Sequence, residues 1–382
     1  HFGSSRIGSG VCKKCQQSNR LRRSVRSVST MPLTSAHVFA SHIGHTGKTT
    51  LAFQMSCYYA KRHPECSVLV MDLAEEGDLS KRLLGGVQAT SIMPELFGGV
   101  FRLMSDAREH SSILTSWLWK DQLDLCKHAV RVADHNPAIP PNLFLISSGA
   151  WPRDEPALDA DTRKRICTKI RDAVEESEKP WKLFCDTDGD RRPSPFTLLG
   201  YGLCNEAIVP LHLNRADLDR TETMLGMMHY YRQLGEISTQ VLFVVWNFVK
   251  SQKDEPCERK GMRMPFTPTK VCLDILDSCN QRLYSANQEL EGLFVHGHAN
   301  AQDFAESSVA VLRQLADTVL KPSEELGLPF VEMVDRLDSS GNKTMKFKSG
   351  SVEYSTTHDV IGGVGDAIMA IEEKFEAMSL TR

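Results

Sequence analysis

Residues 44–50 read GHTGKTT, and this stretch decides the fold. A short apolar run at residues 36–40 precedes it, and apolar side chains at helical spacing follow it from Leu51 to Tyr59. In a glycine-rich loop between a strand and a helix, backbone N–H groups point inward and the helix adds its positive N-terminal end. The stretch therefore predicts a phosphate site in which Lys48 reaches the terminal phosphates and the Thr49 hydroxyl ligates Mg²⁺.

The rest of the chain supplies the sheet that such a loop needs. Strands are predicted where continuous apolar runs occur, at residues 67–73, 142–147, 181–186, 207–211 and 241–246. Helical patterns separate several of these runs, as at residues 162–176 and 217–234. The alternation predicts an α/β fold with a doubly wound, mostly parallel sheet. A helical insertion is expected at about residues 104–137.

The pattern changes after residue 250, so we expect residues 33–250 to form the nucleotide-binding domain and residues 251–382 to complete or flank it. Residues 251–269 are polar and contain prolines, which predicts a loop or linker. The remaining expectations are helices at 271–290, 303–320 and 361–378, a last strand at 329–334 and a hairpin-like stretch at 339–357. The C-terminal part is thus expected to be rich in helix.

The N-terminal residues 1–32 are expected to lie outside the fold. Residues 1–64 contain no Asp or Glu, and arginines and lysines are mixed there with many serines. This composition fits an organelle transit peptide, a disordered tail, or sequence ahead of a start at Met31. The compartment therefore stays open: we expect a soluble protein that is cytoplasmic, or organellar if the segment is a transit peptide.

Bulk composition points away from several partner classes. The net charge is −3, which gives no strong attraction to nucleic acid or anionic membrane, and neither partner is indicated. No run approaches the roughly 18 apolar residues of a membrane span. The eleven cysteines are scattered, so most are expected to be reduced core residues, and Cys12 and Cys15 lack a second pair at zinc-site spacing.

Several motifs, in order along residues 36–250, resemble the ParA/MinD-type deviant Walker P-loop ATPases of the CobQ/CobB/MinD/ParA nucleotide-binding family. The loop of that family reads KGGxGK(S/T)(S/T), and residues 43–50 read IGHTGKTT. Further similar stretches are VMDLAEEGDLS at 70–80, NLFLISSG at 142–149, LFCDTDG at 183–189, AIVPL at 207–211 and VVWN at 244–247.

The resemblance implies ATP and Mg²⁺ as cofactors and ATP hydrolysis as the activity. Lys48 and Asp72 would be catalytic, Thr49 and Asp186 would hold Mg²⁺, and Asn247 would bind the adenine. The phosphates would lie on the loop residues Gly44, His45, Thr46, Gly47, Lys48, Thr49 and Thr50. The resemblance further implies that nucleotide state controls formation of a homodimer or binding of a protein partner whose identity the sequence does not give. Taken alone, either aspartate is also explained as a helix N-cap, and Asn247 as a turn residue.

Two positions depart from the family pattern. Ile43 stands where the family has a lysine that reaches the phosphates of the partner subunit. The resemblance therefore does not extend to cross-dimer activation unless Lys81, Arg82 or an arginine within 215–220 substitutes, which the sequence does not show. His45 stands where the family has glycine, and a positive φ there would cost about 1–2 kcal/mol. The expected turnover is therefore slow or absent. The alternatives are a pseudo-ATPase scaffold that works through protein contacts, and a P-loop ligase or kinase acting on a small molecule.

Three further features are given structural interpretations. Asp188 and Asp190 are either additional metal ligands or an acidic loop, and the loop is favoured. The spacing of His296 and His298 could serve a metal, but the sequence offers no nearby partner. The last helix is amphipathic, and the acids on its polar face favour packing on the core or a partner over membrane binding.

Overall fold

The structure is a computed structural model that describes residues 35–91, 99–100, 102–103, 128–147, 159–175, 180–189 and 192–380. The chain divides into two units, residues 1–32 and residues 33–382, and the described residues belong to the second. The expectations for residues 1–32, and those for Asp190, lie outside the described residues.

The strands of the described part are numbered in chain order. They are β1 (Ser35–Phe39), β2 (Ser67–Asp72), β3 (Val130–Arg131), β4 (Leu143–Ile146), β5 (Trp181–Asp186), β6 (Glu206–His212), β7 (Gln240–Val249), β8 (Ser251–Lys253), β9 (Cys257–Arg259), β10 (Met262–Met264), β11 (Thr267–Pro268), β12 (Val309–Arg313), β13 (Thr344–Ser349) and β14 (Val352–Thr357).

The α-helices of the described part are numbered in the same way. They are α1 (Lys48–Arg62), α2 (Asp78–Leu83), α3 (Ala160–Glu175), α4 (Pro195–Leu203), α5 (Arg215–Gln233), α6 (Lys270–Glu289), α7 (Ala301–Ser308), α8 (Asp317–Leu326), α9 (Phe330–Ser340) and α10 (His358–Leu380).

Eight strands form one sheet in the order β12-β7-β6-β1-β5-β2-β4-β3. Every neighbouring pair in it is parallel except β3 and β4. The predicted doubly wound, mostly parallel sheet is confirmed. The central strands are continuous apolar runs because helices cover both faces of the sheet, and every residue of β1, β2 and β5 is buried.

Two apolar clusters fill the layers above and below the sheet. Helices α3 to α6 contribute to one cluster through residues such as Ile166 and Leu225. Helices α1, α8, α9 and α10 contribute to the other through Leu51, Val319 and Phe375. The residues beyond 250 are therefore part of the same core as the first half of the chain, and β12 adds a parallel strand beside β7.

Three expectations for the second half are corrected. The strand expected at 329–334 is wrong: Pro329 is the N-cap of α9, and Phe330, Met333 and Leu337 recur at helical spacing on its buried side. The helix expected at 303–320 is interrupted by β12, whose apolar residues join the sheet. Residues 251–269 form short antiparallel strand pairs, β8 with β11 and β9 with β10, where a loop was expected.

Two further expectations concern the hairpin and the helical insertion, and part of the second lies outside the described residues. The hairpin expected at 339–357 is confirmed by the antiparallel pair β13 and β14. The helical insertion expected at about residues 104–137 stays a prediction for most of its length; at its described end, residues 130–134 form β3 and a short 3-10 helix. Residues 104–127 lie outside the described residues. Among the helices that the structure describes, none combines the length and apolar character needed to cross a bilayer.

Helix α10 brings an acid into the core. The Glu372 side chain is fully buried, and neither of its carboxylate oxygens has a hydrogen-bond partner among the described residues. Burial raises the pKa of Glu372 from 4.5 to about 8, although the nearby Lys182 ammonium opposes the rise. Lys182 is itself buried, with its Nζ atom 4.1 Å from the ring centre of Phe375. Glu372 is therefore protonated in the folded protein at a pH where the unfolded chain is ionised.

This burial predicts a pH-dependent gain in stability for Glu372→Gln. Between the unfolded and folded pKa values the folded state holds one more proton, so wild-type stability falls as pH rises from about 4.5 to 8. The variant lacks that loss. Its free energy of unfolding, relative to wild type, should rise by roughly 1 kcal/mol per pH unit between about pH 5.5 and 7.5. Urea unfolding at several pH values measures this, with the exposed neighbour Glu373→Gln as the control. A difference that does not change with pH would contradict the expectation.

Candidate phosphate-binding site

The loop between β1 and α1 ends at Gly47, which caps α1 in a left-handed conformation with φ 93° and ψ 16°. Helices α4, α5 and α6 each begin with a side chain that accepts a hydrogen bond from a backbone N–H, whereas α1 has no side-chain cap. His45 also has a positive φ of 63°, and its side chain is exposed. The strained position expected for this histidine is therefore present, at a cost of about 1–2 kcal/mol.

A cavity of ≈ 410 Å³ opens over this loop. The loop and the start of α1 line one side, and the segments after β2 and β5 contribute Ala74, Asp188 and Gly189. Arg82 of α2 and Asn247 of β7 complete this part of the wall. The cavity thus lies beyond the carboxyl ends of the strands, which is where open parallel sheets bind their ligands.

Lys48 is the first residue of α1 and lines the cavity. The side chain is only 7% exposed, and its Nζ atom donates a hydrogen bond of 3.1 Å to the Ile43 carbonyl oxygen. The ammonium group therefore lies folded over the loop. An ammonium held in this way is already desolvated and can bind an anion without a large loss of side-chain entropy.

Asp72 and Asp186 lie opposite each other at the ends of β2 and β5, and both are fully buried. Burial raises the pKa of Asp72 to about 7, and the charge of Asp186 adds to the rise. The Asp72 carboxylate is engaged: Oδ2 accepts from the Ser80 N–H at 2.8 Å and from the Ser80 hydroxyl at 2.7 Å, and Oδ1 accepts from the Ala74 N–H at 3.3 Å. Asp72 therefore fastens the start of α2 to the sheet.

Asp186 is differently placed. One carboxylate oxygen accepts from the Thr187 N–H at 3.1 Å, and the other, Oδ2, is buried without a hydrogen-bond partner among the described residues. Burial raises the pKa of Asp186 to about 6, and the Lys48 ammonium and the Thr49 hydroxyl oppose the rise. A buried carboxylate oxygen at the end of β5 and a hydroxyl at the start of α1 are hard oxygen donors of the kind that Mg²⁺ prefers. These two residues fit a magnesium ion.

Asn247, at the end of β7, is attached to the back of the loop. The side-chain Nδ2 donates to the Thr46 carbonyl at 2.9 Å, and Oδ1 accepts from the Phe248 N–H at 2.8 Å. A β-carbon added to Gly47 would lie 2.2 Å from Nδ2. An asparagine amide has two donors and two acceptor lone pairs, so one of each remains for a ligand.

The structure therefore brings the predicted residues to one end of the sheet, but in different settings. Residues 44, 45 and 47–50 line the cavity together with Asn247 of β7. Thr46, Asp72 and Asp186 are buried and do not belong to the cavity lining. Asp188 connects the segment after β5 with the segment after β2, because its Oδ1 accepts a hydrogen bond from the Glu75 N–H at 3.0 Å. This contact supports a structural loop over a metal ligand.

Two contributors were missed from the sequence. Gly189 packs so tightly on the loop that an added β-carbon would lie 2.8 Å from the Ile43 carbonyl. The second is α8, whose Glu324 reaches the cavity wall from the far end of the chain and has no local sequence motif.

Away from this site, the His298 ring nitrogens lie 3.0 Å from the hydroxyls of Ser307 and Ser308. Among the described residues, no group of three or more His, Cys, Asp or Glu side chains is arranged to hold a metal ion.

Comparison with known proteins gives a family and a fold. The sequence profile of the CobQ/CobB/MinD/ParA nucleotide-binding domain matches residues 37–277, which is more than half of the chain. An ATP complex of an McdA variant from Cyanothece is similar at 13% identity and a TM-score of 0.51, over 89% of this chain and 97% of its own. Cobyrinic acid a,c-diamide synthase from Mycobacterium smegmatis, with ADP and magnesium, has 14% identity and a TM-score of 0.46, over 81% and 97%. No functionally curated protein matches the chain.

Proposed function

We propose that this chain, which belongs to the CobQ/CobB/MinD/ParA nucleotide-binding family, binds ATP with Mg²⁺ in the cavity over residues 44–50. We propose further that it hydrolyses ATP slowly and that its nucleotide state controls dimerisation or the binding of a protein partner. The observation that carries the proposal is the buried Lys48 ammonium above a glycine-capped helix start, with an unpaired Asp186 oxygen beside it.

The loop residues have the part of the phosphate cradle in this proposal. Backbone N–H groups of residues 44–50 bind phosphate oxygens, and the start of α1 adds its positive end. Lys48 moves from the Ile43 carbonyl to the terminal phosphates, which is a favourable exchange because a phosphate oxygen is a charged acceptor. His45 is exposed on the loop and donates a hydrogen bond to a phosphate oxygen.

Thr49 and Asp186 would hold the magnesium ion, Asp186 directly or through water. When bound, the ion neutralises charge on the phosphates. Asp186 has one oxygen without a partner for this purpose, and its pKa of about 6 leaves it ionised at neutral pH. Asp186 keeps the hydrogen bond from the Thr187 N–H, so the end of β5 does not have to rearrange.

The roles proposed for Asp72 and Asn247 take account of the hydrogen bonds that each side chain already makes. The proposed role of Asp72 is to position the segment between β2 and α2, which borders the reacting phosphate, and a direct action on water would require release from Ser80. Asn247 would bind the adenine with its remaining donor and acceptor while it keeps the loop attached to β7.

A second candidate is a pseudo-ATPase scaffold that holds nucleotide and works through protein contacts. Ile43 in place of a loop lysine, and a carboxylate at Asp72 that is fully engaged by Ser80 and Ala74, favour slow or absent turnover. A small-molecule ligase or kinase is the third. The part of the cavity wall that comes from the C-terminal part consists of Leu312, Leu315, Leu320 and Glu324, which gives a small-molecule acceptor one polar side chain to bind.

The functions are separated by measuring phosphate release with and without Mg²⁺ while oligomeric state is read by light scattering. We expect phosphate release that requires Mg²⁺, and that Asp186→Asn abolishes, with ATP changing the population of dimer or the capture of a partner. Binding of ATP with no release above background would favour the scaffold. Release that continues at full rate in Asp186→Asn would refute the proposed magnesium site.

A further inference from the structure

Arg82 occupies a position that the proposed phosphate cradle does not yet use. The side chain belongs to α2, is 17% exposed and lines the cavity. One guanidinium nitrogen, Nη1, donates to the Thr50 hydroxyl at 2.8 Å, and the other, Nη2, lies 2.9 Å from Glu324 Oε1. The group therefore connects the helix that follows the loop with α8 of the C-terminal part.

The backbones that carry Arg82 and Glu324 are fixed against each other. A β-carbon added to Gly86 would lie 2.1 Å from the Glu325 carbonyl oxygen, and one added to Gly327 would lie 2.2 Å from the Arg82 carbonyl oxygen. Asn136 also donates one hydrogen bond to the Leu83 carbonyl at 3.0 Å and another to the Gly327 carbonyl at 2.8 Å. We therefore expect the Arg82 and Glu324 side chains to move on ligand binding while the backbones that carry them keep their close contacts.

Charge at the cavity gives Arg82 a task. Among the described residues that line the cavity, Lys48 contributes an ammonium group and Arg82 a guanidinium group. Ile43 contributes no positive charge. The roughly four negative charges of the ATP phosphates exceed the combined charge of one Mg²⁺ ion and Lys48, so a further cation stabilises them in a partly buried site.

Glu324 is a weak partner for Arg82. The carboxylate is 40% exposed, and ion pairs with that much solvent contact contribute little. A phosphate presents two oxygens to the planar guanidinium and bears more charge, so it binds the same group more strongly. A phosphate that enters the cavity should displace Glu324 while the bond to Thr50 remains.

We propose that Arg82 is the second phosphate-binding cation of this site and that Glu324 is a competing anion which holds Arg82 when no nucleotide is bound. This inference rests on the proposed function, since it assigns a residue within the same cavity. It means that α8, and through it the C-terminal part of the chain, loses one contact to the nucleotide-binding half whenever a triphosphate binds.

The test is the affinity for ATP with Mg²⁺, measured by calorimetry on the full chain. Arg82→Ala should weaken binding by roughly 10- to 100-fold, as expected for loss of charged hydrogen bonds. Glu324→Gln should tighten binding by about 2- to 5-fold, because the competing carboxylate is gone. The opposite sign of the second effect distinguishes the proposal from simple damage to the fold.

A double variant and a control variant complete the experiment. If Glu324 acts through Arg82, then Arg82→Ala with Glu324→Gln should bind ATP as weakly as Arg82→Ala alone. Arg336→Ala is the control, because Arg336 lies on α9, pairs with Glu332 and does not line the cavity. Wild type that binds ATP in a Lys48-dependent way, with Arg82→Ala unchanged, would overturn this inference alone. Wild type that does not bind ATP would overturn the proposed function.

Discussion

Lys48→Ala should lower the affinity for ATP with Mg²⁺ by at least about 100-fold, since two charged hydrogen bonds to phosphate contribute roughly 1.5–3 kcal/mol each. The ammonium group lines the cavity, is 7% exposed and lies against the Ile43 carbonyl, so it is in place before the ligand arrives. Calorimetry, or displacement of a fluorescent ATP analogue, measures the loss. The fold should persist, because α1 packs through residues further along it, such as Leu51 and Phe53.

Lys61→Ala is the matched control for this variant. Lys61 lies near the other end of the same helix, is about one-third exposed, and pairs with Asp335 of α9. Removing its charge changes the net charge of the protein by the same amount but leaves the cavity untouched. We expect its affinity for ATP to equal that of wild type. Equal losses in Lys48→Ala and Lys61→Ala would mean that Lys48 has no specific contact with the nucleotide.

Gly47→Ala should abolish ATP binding and lower the free energy of unfolding by about 2–4 kcal/mol. Gly47 has a φ of 93°, a conformation that side chains rarely adopt, and its β-carbon would lie 2.2 Å from Asn247 Nδ2. The amide of Asn247 would have to leave the Thr46 carbonyl, so the loop would lose its attachment to β7. Urea unfolding and ATP titration of the same preparation measure both effects.

Gly44→Ala provides the comparison within the same loop. An added β-carbon at Gly44 meets no atom within 4 Å, and the residue is exposed. The added methyl group meets no protein atom, so we expect stability within about 0.5 kcal/mol of wild type. If Gly44→Ala and Gly47→Ala were equally harmful, loop composition in general would matter and the contact with Asn247 would not.

The sequence predicted the centre of the fold well because buried parallel strands have a simple pattern. The runs that became β2, β4, β5, β6 and β7 are continuous and apolar, and the loop before α1 has a recognisable composition. The C-terminal part was predicted less well. The apolar run around Phe330 looks like a strand, but its apolar residues recur at the helical period and Pro329 starts a helix there. Apolar runs of that length do not distinguish strand from helix.

The site could be predicted as a set of residues but not as a set of bonds. Asp72 with Ser80, and Asn247 with Thr46, depend on how strand ends meet, and the second pair is separated by 201 positions in the chain. The pairing of Arg82 with Glu324 depends on the close packing of α2 against α8, which glycines at 86 and 327 allow. Such contacts between distant segments leave no periodic pattern in the sequence.

Titration of the full chain with ATP in a calorimeter, with Mg²⁺ and then with the metal chelated, measures nucleotide binding at this cavity. We expect one saturable site per chain with a dissociation constant in the micromolar range, weakened when Mg²⁺ is removed and lost in Lys48→Ala. Absence of saturable binding by wild type, or binding that Lys48→Ala leaves unchanged, would contradict the assignment of the cavity over residues 44–50 as a nucleotide site.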